Sequence, residues 1–134
     1  MSSSRIYTQG SCSARHYAFL TISFLFLSLV FQLEAADAAV FTVGDSSGWD
    51  FSMGNWTDGK HFKAGDVLVF NYDPSQHNVV AVDLNGYNRC SASAKSRTYT
   101  SGKDKIMLSK GNHYFICSYP GHCDGGMKIA ISVS

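Results

Sequence analysis

Charge of one sign is the first thing this chain lacks. Lys and Arg number 11 against 10 Asp and Glu, a balance that argues against nucleic acid or an anionic membrane surface as a partner. Long apolar runs are missing too. The stretch Ala18 to Phe31 covers 14 residues, short of the roughly 20 that a helix needs to cross a bilayer. No hydrophobic tail precedes Ser134, so no lipid anchor, with its small residues, spacer and apolar tail, is expected. Proline is confined to Pro74 and Pro120, which leaves no Pro-rich extension. No internal repeat, low-complexity segment or convincing amphipathic helix emerges, which removes solenoids and helical bundles from consideration.

What is present begins with a leader. Arg5 and Arg15 precede the apolar run, and Ala36-Asp37-Ala38 follows it as an A-x-A cleavage site. Residues 1–38 are therefore expected to be a secretory signal peptide, with a retained membrane anchor as the alternative. Residues 39–134 are expected to form one domain, with nine Lys and Arg against eight Asp and Glu. The product is expected to be soluble, secreted and extracellular, without a stable membrane anchor.

Cysteine counting becomes informative once the leader is set aside. Cys12 leaves with it, and Cys90, Cys117 and Cys123 remain. In an oxidising compartment an odd count means one pair and one thiol with another task, or an intermolecular bridge. Of the three internal pairings, two consume Cys117. The third, Cys90 with Cys123, leaves it free and closes a loop of roughly 34 residues, worth on the order of 3–4 kcal/mol.

Short β-prone segments fill the rest. Val40–Val43, Asp66–Tyr72, His77–Val82, Arg97–Thr100, Lys105–Leu108, Tyr114–Ser118 and Met127–Val133 are apolar or alternating, with turns at Asp73-Pro74-Ser75, Asn85-Gly86 and Lys110-Gly111 between them. Residues 45–59 form an irregular connection whose Trp49, Phe51 and Trp56 suggest a packed loop over one end of the core. Asn55-Trp56-Thr57 within it is a sequon, making Asn55 a possible N-glycosylation site. The expected fold is all-β, an antiparallel Greek-key β-sandwich of about seven strands.

The chemistry concentrates in Cys117-Ser-Tyr-Pro-Gly-His122-Cys-Asp-Gly-Gly-Met127. A thiolate, an imidazole and a thioether lie within one Gly-rich loop, and such soft or borderline donors select copper over hard cations. A blue-copper site needs a second imidazole, for which His77, at the start of a separate strand, is the candidate. Each residue alone has an ordinary reading: His77 a turn histidine, His122 a loop histidine, Cys117 an inert thiol, Met127 core filler. The combination is what points to one copper cycling between Cu(I) and Cu(II). His61 and His113 are left out, and Met53 and Met107 read as packing. An oxidase would need an open position or further metals, and the two remaining histidines do not cluster.

On these residues the domain resembles the phytocyanin family of cupredoxins, most of all its plantacyanin (basic blue protein) branch. The resemblance rests on Val43-Gly44 with Gly48-Trp49, Gly65-Asp66 through Tyr72, Pro74-Ser75 with His77-Asn78-Val79-Val80, and Tyr114 through Ile129 with its C-x4-H-x4-M spacing. It implies a cupredoxin-like sandwich, a type 1 copper site at His77, Cys117, His122 and Met127, and a Cys90–Cys123 disulfide. Outer-sphere, one-electron transfer outside the cell is the function it implies; the redox partner is expected to be a small molecule or a protein, and the chain a monomer and not an enzyme. The alternative is an extracellular signalling or adhesion module in which copper is structural or incidental.

Overall fold

The computed structural model describes residues 13–30 and 37–134. Arg5, Cys12 and residues 31–36 lie outside the described residues, so the proposed leader and its cleavage site are described only in part. Helix α1 (Ser13–Val30) is a unit by itself. The side chains of Phe19, Leu20, Phe24, Leu25 and Phe26 along it are all exposed. Among the described residues no helix is long and apolar enough to cross a membrane.

Residues 37–134 hold seven strands in two sheets: β1 (Val40–Thr42), β2 (Val67–Asn71), β3 (Val79–Val82), β4 (Arg97–Tyr99), β5 (Lys103–Met107), β6 (Gly111–Ile116) and β7 (Lys128–Val133). One sheet has the order β1-β2-β5 and the other β4-β3-β6-β7. The pairing is antiparallel except between β1 and β2, which run parallel with Val40 opposite Val67. A parallel neighbour needs a long crossover. The connection 43–66, which contains the stretch 45–59 that the sequence marks as irregular, supplies it. The all-β, two-sheet expectation is met, with this one parallel pair as its exception.

Burial explains why alternation is clear in some strands and lost in others. In β7 Ile129, Ile131 and Val133 are buried while Ala130 and Ser132 face out, as for a sheet with one wet face. In β3 and β6 neighbours are buried together. Val79 and Phe115 point into the core between the sheets, while Val80 and Ile116 pack on the other face with Cys123, Val82, Tyr87 and Cys90. That second cluster lies beneath α2 (Leu84–Arg89), a helix where Asn85-Gly86 alone suggests a turn. Asp83 caps it by accepting the Gly86 N–H at 2.7 Å, satisfying one of the donors that a helix start leaves open. Six residues are too few for helical periodicity to show.

Two smaller expectations change. His113 belongs to β6 rather than preceding it, and its Nε2 lies 2.7 Å from the Ser109 carbonyl. Met107 is 72% exposed at the end of edge strand β5, whereas Met53 is buried as expected.

The 45–59 connection packs through two of its three aromatics: Trp49 and Trp56 are buried, with Trp49 edge-on to Phe70 at 5.2 Å, while Phe51 is 40% exposed. Gly48 sits at φ 70°, where a Cβ would meet the Asn71 carbonyl oxygen at 2.5 Å. Only glycine lets the chain pass this close, and the next residue uses the approach: Trp49 N–H donates to Asn71 O at 2.8 Å.

Candidate metal centre

The loop after β6 folds back on its own backbone. Cys117 N–H donates to Met127 O at 3.0 Å, Met127 N–H to His122 O at 3.0 Å, and His122 N–H to Tyr119 O at 3.1 Å. These bonds place Cys117, His122 and Met127 around one point before any side-chain contact is considered. Gly125 and Gly126 then turn the chain into β7 beneath Phe51. Gly126 lies at φ 102°, and a Cβ there would approach the Phe51 carbonyl oxygen to 2.9 Å. The Cys90–Cys123 disulfide, with a Cα–Cα distance of 5.5 Å, ties the middle of the loop to the end of α2. Cys117 is left as the free cysteine among the described residues, and it is buried.

His77 arrives from elsewhere. The turn after β2 is closed by Asp73, whose backbone carbonyl accepts from Gln76 N–H and His77 N–H, both at 3.0 Å. Its carboxylate accepts from the Ser75 N–H at 2.9 Å and hydroxyl at 2.7 Å. Those bonds to Ser75 hold the Asp73 carboxyl below the usual carboxylate range, so the turn stays charged.

The side chains converge. His77 Nδ1 and His122 Nδ1 are 3.1 Å apart, Cys117 Sγ is 3.4 Å from His122 Nδ1, and all three donor atoms lie within 4.8 Å of one another. With metal–nitrogen bonds of about 2.0–2.1 Å and a metal–sulfur bond of about 2.3 Å, tetrahedral angles give donor edges of about 3.3 and about 3.6 Å. The two separations made by His122 lie close to that spacing, and the third is within 4.8 Å. The donors therefore fit a single small cation, and two imidazoles with a thiolate suit copper. Met127 is fully buried in the main core, as is Cys117. The sulfurs thus sit on the dry side, while both imidazoles keep partial access to solvent.

A residue that sequence reasoning passed over joins the two ligand segments. Asn78 Oδ1 accepts the Ser118 N–H at 2.8 Å, and Asn78 Nδ2 donates to Ser118 Oγ at 2.8 Å. The neighbour of His77 is thereby clamped to the neighbour of Cys117. Trp49 completes the brace, its Nε1–H donating to the Asn78 carbonyl at 2.9 Å. The signal in sequence is only adjacency: a polar side chain beside each ligand, with nothing to show that they meet.

His61 and His113 are not brought to the cluster. Asn55 is exposed, next to buried Trp56.

Comparison with known proteins agrees with this geometry. Residues 46–127 match the model of the plastocyanin-like domain family. The chain is 52% identical over 126 residues to chemocyanin of Lilium longiflorum, covering 94% of this chain and 98% of that protein. Among solved structures, it superposes on cucumber basic protein, a blue copper protein, with TM-score 0.71 and 53% identity, covering 72% of this chain and all of that one. Spinach plantacyanin gives TM-score 0.65 and 55% identity, again over 72% of this chain and the whole of that structure. With the cupredoxin sandwich, the stapled loop and the converging donors in place, the chain belongs to the phytocyanin family of plastocyanin-like proteins.

Proposed function

We propose that this phytocyanin is a secreted type 1 copper protein, holding one copper with His77, Cys117, His122 and Met127 and carrying one electron at a time by outer-sphere transfer. The observation that carries the reading is the convergence of two Nδ1 atoms and one buried Sγ at donor-edge spacing, with the other two cysteines joined to each other. As a phytocyanin it is an electron-transfer protein, not an enzyme.

Copper held by His77, Cys117, His122 and Met127 would supply a centre able to cycle between Cu(I) and Cu(II), with the Met127 thioether tuning its potential. The chain's own residues do the rest. The Cys117–Met127 backbone bonds and the Asn78–Ser118 clamp hold the donors in one arrangement, so little has to move when the charge changes. Burial of Cys117 and Met127 keeps water from the sulfurs. The partly exposed edges of His77 and His122 form the side through which an electron partner is reached.

Residues 1–38 are read as the leader of a secreted protein, consistent with the uncovered apolar side chains along α1, and Asn55 as a glycan site consistent with its exposure. The test is an absorption spectrum of the purified protein with added Cu(II), alongside a count of free thiols. An intense copper–thiolate band at about 600 nm with one copper per chain is expected. A colourless protein with one titratable thiol overturns the copper reading.

A further inference from the structure

A recess of about 400 Å³ opens beside the ligand cluster, between the segment carrying Trp49, Asp50 and Phe51 and the turn carrying Asp73. His77 and His122 both line it, while Cys117 and Met127, with no exposed surface, lie behind them. Its aromatic walls include Phe51, whose ring centroid lies 5.0 Å from that of His122 and 6.0 Å from that of His77. Its charged lining has one sign: Asp50 and Asp73 border it, and among the described residues no Lys or Arg does. The residues 39–134 together carry a slight positive charge, so this negative mouth is a local feature.

Resting on the electron-carrier reading, we infer that this recess is the docking site of a small one-electron donor, a single-ring phenol or catechol that is cationic and not anionic. The volume is at the lower end of small-molecule sites, which run from about 300 to about 1,000 Å³, and suits one ring rather than a polymer. The ring packs edge-on to Phe51 and the imidazoles, as aromatic groups prefer. An ammonium group meets Asp50 and Asp73, and the side-chain amide of Gln76 at the rim offers the hydroxyls a partner. In the transfer the phenol loses one electron to the oxidised centre, which goes from Cu(II) to Cu(I). Its phenolic proton passes to solvent, and a phenoxyl radical that keeps the ammonium charge departs. Both carboxylates are exposed, so screening limits their effect. Attraction of one sign and repulsion of the other together amount to about tenfold in Kd.

The test uses the full protein kept in its reduced copper form, where the donor cannot react. Dopamine and 3,4-dihydroxyphenylacetate, with the same ring and opposite charge, are titrated while backbone amide shifts are followed by NMR. Dopamine is expected to shift Phe51, Gln76 and His77 and to bind about tenfold more tightly than the anion. In the Asp50→Asn and Asp73→Asn variants, which keep the acceptor oxygen, that ratio is expected to fall toward one. Equal affinities in the parent protein, shifts elsewhere on the surface, no shift at millimolar donor, or a ratio indifferent to both substitutions each overturns the inference. Copper stoichiometry is measured on the same samples. A chain that takes no copper yet shows the shifts refutes the carrier reading and leaves a binding recess, so the two failures are told apart.

Discussion

The two segments that present the proposed ligands are built on opposite principles. The Cys117–Met127 loop is nearly self-sufficient: its three donors are placed by backbone bonds within eleven consecutive residues, and one disulfide staples its middle. The His77 turn closes locally at Asp73, but its placement against the other ligands depends on Asn78 reaching across to Ser118 and on Trp49 from a loop 29 residues away. Local construction leaves a spacing that can be read from the chain. Construction by distant contacts leaves almost no trace. The comparison teaches why three donors form a motif, while the fourth can be named only by asking what a copper site lacks.

The sharpest way to break the first segment is to remove its thiolate. Cys117→Ser is expected to abolish the intense visible band altogether, read by absorption of the copper-loaded protein, because the band is a copper–thiolate transition. Persistence of the band would show that the sulfur donor is another residue. The staple comes next. Cys90→Ala with Cys123→Ala removes a cross-link spanning 33 residues, and the expected loss is about 3–4 kcal/mol in unfolding free energy by denaturant titration. A loss below about 1 kcal/mol would mean that the loop's own backbone bonds suffice.

The second segment is tested through Asn78. Asn78→Ala removes both bonds to Ser118 while leaving all four proposed ligands in place. Losing a hydrogen bond that orients a metal-binding segment typically costs about 10- to 100-fold in metal affinity. Trp49→Phe keeps the aromatic packing on Phe70 but loses the donor to the Asn78 carbonyl, with an expected cost of about 1 kcal/mol in stability. If Asn78→Ala leaves copper affinity, measured by competition with a chelator, where it was, the turn is self-supporting and the contrast between the segments collapses.

This contrast also explains how much of the molecule was legible. The seven strands were readable because their apolar runs and turns are local, and Ile129, Ile131 and Val133 alternate as a half-wet strand must. Helix α2 was not, since six residues give no period and its cap, Asp83, looks like any turn residue. The parallel pairing of β1 with β2 is set by a long crossover that carries no direction in its composition. The recess beside His77 and His122 joins residues from three separate stretches, and nothing in their spacing announces it.

The smallest expected effect concerns the ground on which the His77 turn stands. Tyr72 ends the run before Asp73, and its hydroxyl donates to the Asp104 carboxylate, with the Tyr99 carbonyl 3.0 Å away. Ser101 Oγ donates to the other Asp104 oxygen at 2.6 Å. Burial first, and the bond to Asp104 second, push the Tyr72 phenol well above its ordinary value. A proton held more tightly in the folded state stabilises it fully below the unfolded tyrosine pKa of about 10. Above that pH the unfolded chain releases the proton and the folded chain keeps it, so the contribution is lost as pH rises through the folded pKa. Tyr72→Phe removes the group. At pH 7 the variant is expected to be about 1 kcal/mol less stable than the parent, and the gap is expected to narrow steadily above pH about 10. Parallel denaturant titrations of both proteins across that range read the difference directly and cancel the other titrating groups. A gap that stays constant would mean that the folded chain holds the Tyr72 proton no more tightly than the unfolded one.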